Sequence, residues 1–131
     1  MREEVDAGDA VGDGAADEVA SVAAVLDDAH ARAILVNTAR EPLSVDELVE
    51  RVDGSRSTVY RRAQRLAELD LVAESREIDP DGHHFTTYRA RLDRVTIDLD
   101  GDGFAINVDR RAVEDDAVDR LNRLFERLNG P

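Results

Sequence analysis

The chain has 131 residues, of which 42% are hydrophobic and only 4% aromatic, so it suits one domain with a modest aliphatic core. The absence of cysteine excludes disulfide bonds, thiolate metal sites and cysteine redox chemistry. No apolar run approaches the about 20 residues that a membrane span needs, and no signal peptide opens the sequence, so we expect a cytoplasmic protein.

The charge of the chain is strongly biased towards acid. Asp and Glu number 30 against 17 basic residues, which gives a net charge of -13, and every basic residue is arginine. A carboxylate surface without lysine is typical of proteins from salt-accumulating archaea, because molar salt screens charges beyond about 3 Å and carboxylates keep the surface hydrated. An ordinary acidic protein of a low-salt cell is the alternative.

In chain order, residues 1–17 show no hydrophobic period and predict a disordered acidic tail, with partner docking or DNA mimicry as the functional alternative. From residue 18 the spacing predicts a helix, and Asp27 or Asp28 can cap a second helix that runs to about residue 39. Pro42 marks its end. The inward positions of these two helices are Val19, Val22, Val25 and Leu26, then Ala31, Ile34, Leu35 and Thr38.

Two short capped helices follow. Ser44 and Glu47 match a capping box, and Ser55 or Ser57 can cap the next helix after a turn at residues 53–54. Residues 55–65 contain four arginines and no acid, which in so acidic a chain indicates an anionic partner such as the DNA backbone. We therefore predict a helix-turn-helix with residues 55–69 as the recognition helix in the major groove. The side facing inward comprises Val59, Ala63 and Leu66.

Position along the recognition helix predicts a role for each exposed side chain. Arg61 and Gln64 project from the outer face, where arginine can pair with guanine and glutamine with adenine. The residues near the N-terminus, which can reach phosphates or base edges, are Ser57, Thr58 and Tyr60. The flanking arginines, which we expect on phosphates that position the protein without specifying sequence, are Arg56, Arg62 and Arg65.

After residue 72 the hydrophobic period becomes two. Strands at residues 74–79 and 85–91, around a loop at 80–83, predict the wing of a winged helix-turn-helix. His83 and His84 at the wing tip are expected against the DNA backbone or minor groove, with plain exposed residues as the alternative. Adjacent histidines on a strand point to opposite faces, so they cannot easily chelate one metal ion, and no metal site is predicted.

A second hairpin is predicted at residues 94–109. Residues 98–103 match the opening of an EF-hand loop, but strand alternation runs through Leu99 and resumes at Phe104, which favours an acidic turn over a calcium site. Residues 110–131 predict an amphipathic helix that we expect to mediate dimerisation, with docking on its own domain as the alternative. Its apolar stripe consists of Val118, Leu121, Leu124, Phe125 and Leu128.

The predicted fold class is α+β: the tail, a winged helix-turn-helix over residues 18–93, the additional hairpin and the C-terminal helix. The run from Leu26 to Arg91 resembles ArsR-like winged-helix regulators, especially a group common in halophilic archaea. The segments that carry the resemblance are residues 25–35, 41–48, 55–62 and 81–85. The resemblance implies a homodimer on a pseudo-palindromic operator, with one recognition helix in each major groove. The cysteine ligands of metal-sensing relatives are missing, and no cofactor is predicted.

No catalytic motif appears, so we do not expect an enzyme. The sequence predicts a sequence-specific, double-stranded-DNA-binding transcription regulator, with bound K⁺ or Na⁺ ions bridging its carboxylates to phosphates. Two alternatives remain open. The winged helix could serve protein–protein contact without DNA, or the hairpin from Val95 to Val108 could make the protein a ligand or metal sensor.

Overall fold

The computed structural model describes residues 7–112. Within them, four helices and five strands follow one another in the order α1 (Ala7–Asp27), α2 (Ala29–Arg40), β1 (Leu43–Ser44), α3 (Val45–Arg51), α4 (Arg56–Glu68), β2 (Val72–Ile78), β3 (His84–Ala90), β4 (Leu92–Asp100) and β5 (Gly103–Arg110). The predicted α+β fold, a winged helix-turn-helix followed by a second hairpin, is confirmed.

Both ends of the described segment differ from the elements that the sequence predicts. Helix α1 begins at Ala7, so from that residue on the structure differs from the predicted disordered tail. Residues 7–17 contain four alanines, the strongest helix formers, beside three glycines, which disfavour a helix, and extending an existing helix by a residue costs far less than starting one. At the other end β5 includes Arg110, which was predicted as the first helical residue. Residues 111 and 112 belong to no helix or strand, and residues 113–131, with the apolar stripe of the predicted dimerisation helix, lie outside the described residues, as do residues 1–6.

Side chains fix where the helices of the domain begin. Asp28 caps α2, and its Oδ1 accepts the backbone N–H groups of His30 and Ala31 at 2.8 and 3.1 Å. The predicted capping box of α3 is confirmed: the N–H of Ser44 donates to Glu47 Oε1 at 2.9 Å, and the N–H of Glu47 donates to Ser44 Oγ at 3.2 Å. Ser55 caps α4. These caps satisfy amides that the helix cannot satisfy itself.

The core lies where α2, α3 and α4 meet β3. The predicted inward faces of α2 and α4 are confirmed, because their members are all buried. Thr38 is the polar member of the α2 face, and its hydroxyl donates to the carbonyl of Ile34 at 2.7 Å, so its burial leaves no donor unpaired. The largest fully buried side chains include Ile34, Leu43, Leu48, Leu66, Leu71 and Tyr88.

The strands form two separate antiparallel sheets. The first has the order β1-β3-β2, in which Leu43 pairs with Tyr88 and Val72 with Ala90, and β2 and β3 form the wing. The second is the β4–β5 hairpin, which closes at the pair Asp100 and Gly103. Strands therefore flank the acidic turn on both sides, as the preference for a hairpin over an EF-hand predicted.

Gly54, in the turn between α3 and α4, has a φ of +137°, and a Cβ there would lie 3.0 Å from Cδ2 and from Nε2 of the His30 ring. We expect Gly54→Ala to lower the free energy of unfolding by about 1–2 kcal/mol, because alanine is strained at this φ and would displace the ring. Urea denaturation followed by circular dichroism measures this. Gly101→Ala is the control, since no atom lies within 4 Å of its Cβ position. Equal losses in both variants would contradict the argument.

Candidate nucleic-acid interface

Helix α4 divides into a buried and an exposed side. Val59, Ala63 and Leu66 are fully buried, while Ser57 and Arg61 are exposed on the other side. The helix contains no acid before Glu68. Its exposed side therefore offers hydroxyls and cations, as a helix that enters the groove of an anionic duplex requires.

Arg61 is the arginine of α4 that stays available. It is exposed and makes no ion pair or hydrogen bond with any residue that the structure describes. Tyr60, beside it on the helix, is 50% exposed. Since a guanidinium without an acidic neighbour keeps all its donors, Arg61 is the side chain of α4 best placed to meet a guanine edge or a phosphate.

Arg56 and Arg65 each have an acidic neighbour at the surface. Arg56 forms an ion pair with Asp46 of α3, and the two side chains are 65% and 76% exposed. Arg65 Nη1 lies 3.2 Å from Oε1 of Glu68, one turn along the helix. Exposed pairs of this kind contribute at most about 1 kcal/mol. Exchange of the neighbouring carboxylate for a phosphate therefore costs Arg56 little, whereas Arg65 would also give up a hydrogen bond to Ser21 Oγ of α1 at 3.5 Å.

Arg62 is held differently, because its Nε hydrogen-bonds to Oδ2 of Asp28, the residue that caps α2. Burial alone would raise the pKa of Asp28, but the N–H of Ala31, the hydrogen bond and charge of Arg62, and the N–H of His30 together outweigh it and lower that pKa. The structure thus places Arg62 against the start of α2, where it joins two helices, rather than among the exposed side chains of α4.

Gln64 also has partners within the domain. Its Nε2 donates to Oη of Tyr88 at 2.8 Å and to Oε2 of Glu74 at 2.9 Å. Burial is the main reason why the pKa of Tyr88 is raised; the Glu74 charge adds to this and the Gln64 bond opposes it. These two bonds tie α4 to both strands of the wing. No sequence pattern predicts these bonds, because the partners lie 10 and 24 residues further on.

The hydroxyls at the start of α4 form a short chain. Ser55 Oγ lies 3.0 Å from Oγ1 of Thr58 and 3.2 Å from Oγ of Ser57, and it accepts the N–H of Thr58. Ser57 is exposed and Thr58 is half-buried. Ser57, which was predicted to contact phosphates or base edges, therefore lies close to the helix N-terminus, where backbone N–H groups favour a phosphate oxygen. Thr58 takes part in the cap.

The two histidines of the wing occupy different surroundings. His84, the first residue of β3, lines an open groove of about 600 Å³ together with Arg56, Tyr60 and Gln64 of α4. The structure thus brings His84 and the predicted side of α4 together. His83 lies in the turn, and its side chain is 79% exposed.

The wing turn contains a cluster of possible metal ligands, one histidine and two aspartates, that the sequence pattern does not predict. Potential ligand atoms of Asp79, Asp81 and His83 all lie within 4.8 Å of one another. However, Oδ1 of Asp79 already accepts the N–H groups of Asp81 and His83 at 2.9 and 2.8 Å. This carboxylate has a structural role of its own, since it closes the turn in the way that aspartates commonly do.

Comparison with known protein families shows a similarity over the helix-turn-helix. Residues 34–76 match the family model of the IclR helix-turn-helix domain, from within α2 to within β2. This part of the chain is thus similar to a DNA-binding helix-turn-helix of the kind found in transcription regulators. The match does not single out the ArsR-like group. The chain has no significant match among curated proteins or among solved structures. Every helix in the described part is too short or too polar to span a lipid bilayer.

Proposed function

We propose that the protein is a cytoplasmic, homodimeric transcription regulator that reads double-stranded DNA by placing α4 in the major groove. The observation that carries this proposal is the exposed side of α4, which has no acid before Glu68 and includes Arg61, an arginine without a partner among the described residues, in a chain of net charge -13. Such a surface is energetically reasonable when an anionic ligand covers it. The IclR-type domain supports the choice of DNA as that ligand.

In this proposal each side chain of α4 and of the wing has a role that depends on its hydrogen bonds and ion pairs inside the domain. Arg61 contacts a base edge, and Ser57 and Tyr60 contact phosphates or base edges nearby. Arg56 and Arg65 exchange their surface carboxylates for phosphates, and His83 and His84 follow the flanking backbone. Arg62 keeps α4 on α2. Its bond to Asp28 makes it a weaker candidate for DNA than its sequence position implies.

The hydrogen bonds of Gln64 inside the domain argue against the adenine contact predicted for it from the sequence. A bidentate contact with adenine uses both the nitrogen and the oxygen of the side-chain amide. Both N–H groups of Gln64 already donate, one to Tyr88 and one to Glu74, so such a contact would break at least one hydrogen bond inside the domain. We therefore assign Gln64 mainly to holding the wing, with its carbonyl oxygen as the group that can accept from a base.

A homodimer follows from the way helix-turn-helix proteins read DNA. Two recognition helices about 34–36 Å apart enter successive major grooves, so a two-fold protein matches a two-fold operator. In this proposal the protein is related to the ArsR-like group. The dimer contact predicted from sequence is the C-terminal stripe, Val118, Leu121, Leu124, Phe125 and Leu128.

The composition supports a high-salt, halophilic archaeal cell as the working environment. Counterion release, which drives most protein–DNA binding, weakens steeply with salt concentration. We propose that base contacts and shape therefore supply most of the affinity, while K⁺ or Na⁺ ions bridge acidic groups such as Asp46 to phosphates. Asp46 is 76% exposed beside Arg56, so it lies where such an ion would be needed.

Selection of bound sequences from a random duplex library tests the proposal. In about 2–3 M KCl, where simple electrostatic binding is largely lost, we expect enrichment of a two-fold-symmetric motif. Repeating the selection at low salt is the control, and it should return the same motif. Failure to enrich any motif at either salt concentration would contradict DNA reading and favour a winged helix that contacts another protein. Enrichment of a single half-site would contradict the homodimer alone.

A further inference from the structure

The β4–β5 hairpin has one face made only of apolar side chains. Three cross-strand pairs line it, namely Val95 with Val108, Ile97 with Ile106 and Leu99 with Phe104. Because side chains alternate along a strand, these six residues share a side, while Asp98 and Ala105 lie on the other. We call these six side chains the apolar ladder.

The apolar ladder is covered at its base and exposed towards its tip. Val108 packs against the domain core, and α1 lies alongside β5. Further out, Ile97, Leu99 and Phe104 are 49%, 69% and 58% exposed. An isolated two-stranded hairpin is marginally stable in water, and contiguous exposed apolar surface usually marks a contact site. Another element should therefore cover the outer part of the ladder.

The dimensions of the ladder indicate what fits. Two strands about 4.8 Å apart give a ribbon roughly 10 Å wide, and eight residues at about 3.3 Å each make it some 26 Å long. A single α-helix has a diameter of about 10 Å. Two hairpins packed face to face would cover only about 260 Å² each, well below the about 800 Å² per partner of a stable dimer. The ladder therefore suits one helix.

Chain continuity supplies that helix. Strand β5 runs from the turn back to the base, where the Arg110 guanidinium donates to the carbonyls of Leu69 and Asp70 at 3.0 and 2.8 Å. Residues 113–131 therefore start at the base of the ladder. As the helix that their sequence predicts, they would extend about 28 Å, which is enough to reach the exposed tip of the ladder from its base.

Charges favour the same arrangement. Residues 95–109 contain four aspartates and no basic residue, and three of the four cluster around the hairpin turn. Arg120, Arg123 and Arg127 fall within residues 113–131 at helical spacing. A helix that returns from the base to the turn brings the basic C-terminal half of the segment to the acidic end of the hairpin; Asp98 and Asp100 point away from the ladder, so this attraction acts between the two ends as a whole and not through direct ion pairs. Opposite charges at this end offset part of the repulsion in the acidic turn.

We propose that residues 113–131 dock as a helix along the apolar ladder of their own chain. In this arrangement the apolar stripe that was predicted to mediate dimerisation packs on the hairpin of its own chain. A dimer would then form through the outer side of the docked helix. This inference does not depend on DNA binding.

Paired cysteines in the full chain test the docking, and the protein offers a clean background because it has no cysteine of its own. Phe104→Cys with Leu128→Cys places one thiol on the ladder near the turn and one near the end of the helix. With a short bifunctional maleimide we expect cross-linking within one chain, at least about tenfold faster than for the control. The control is Ala105→Cys with Leu128→Cys, since Ala105 lies on the opposite face of the same strand. Equal rates, or links only between two copies, would overturn the proposal.

Hydrogen exchange gives a second readout that does not need engineered thiols. In the full chain with Phe125→Asp, amides of residues 94–109 should exchange about tenfold faster or more than in wild type, because the hairpin loses its cover. Glu126→Gln, at the neighbouring position outside the apolar stripe, should leave exchange unchanged. Unchanged protection of the hairpin in the Phe125→Asp variant would count against docking even if the cysteine pairs failed to fold.

Discussion

Arg61→Ala is expected to weaken binding to the selected operator by about 5–150-fold, which corresponds to the roughly 1–3 kcal/mol of a specific arginine–base contact. Arg61 is exposed and has no partner among the described residues, so its removal leaves no group unpaired within the domain. The loss should therefore appear in affinity and leave the free energy of unfolding unchanged within about 0.5 kcal/mol. Fluorescence anisotropy on labelled duplex, together with urea denaturation, measures both quantities.

Two control measurements show whether the loss of operator affinity in Arg61→Ala comes from a lost contact with a base. Arg94→Ala removes an equal charge from an exposed position on β4, so it should leave operator affinity almost unchanged. With a scrambled duplex, wild type and Arg61→Ala should differ far less than with the operator, because phosphate contacts do not depend on sequence. If Arg94→Ala weakened binding as much as Arg61→Ala, net charge rather than α4 would determine affinity.

The internal partners of α4 suggest how an acidic protein can maintain a DNA-binding helix. Arg56, Arg62 and Arg65 each lie beside a carboxylate of the same chain, which limits repulsion among the arginines while DNA is absent. The pairs differ in burial: the side chains of Arg62 and Asp28 are 37% and 23% exposed, far less than those of Arg56 and Asp46. Phosphates should therefore displace Asp46 readily, whereas the Arg62–Asp28 bond should persist in the complex.

Local patterns in the sequence predicted the elements of the fold. Capping residues such as Ser44 and Ser55 act within three positions of themselves, and the inward faces of α2 and α4 follow from a period of 3.6. The wing and the second hairpin follow from a period of two. The start of α1 was not predictable in this way, because a segment rich in alanine and acid can be helical or disordered depending on whether a nucleated helix adjoins it.

The division of roles within α4 could not be predicted by the same means. Arg61 and Arg62 are adjacent and chemically identical, yet Arg61 has no partner in the described part of the chain, while Arg62 is bonded to a residue 34 positions earlier. Likewise, the sequence places Gln64 on the reading face, while the fold brings Tyr88 and Glu74 within reach of its amide. Such pairings depend on how elements pack, and packing is not encoded in the periodicity of any single helix.

Asp28→Ala is expected to lower the free energy of unfolding by about 1.5–3 kcal/mol. The change removes the N-cap of α2, typically worth about 1 kcal/mol, and it leaves the half-buried Arg62 without its charged partner. Since Arg62 also retains some access to water, the loss should stay below that of a fully buried pair. Urea denaturation at neutral pH measures it. Asp28→Asn, which keeps an acceptor oxygen but loses the charge, should lose about half as much.

The pH dependence identifies the ionised carboxylate as the cause. In the folded state the pKa of Asp28 is lowered below its ordinary value of 3.8. The contribution of the ionised carboxylate to the free energy of unfolding is therefore fully present above the unfolded-state pKa and is lost as the pH falls through the folded-state pKa. The stability difference between wild type and Asp28→Asn should therefore shrink below about pH 4. Asp27→Ala is the neighbouring control: Asp27 is exposed at the C-terminus of α1, where negative charge is unfavourable, so its removal should be neutral or slightly stabilising. A difference between wild type and Asp28→Asn that stayed constant down to pH 2 would mean that hydrogen-bond geometry, and not charge, joins α4 to α2.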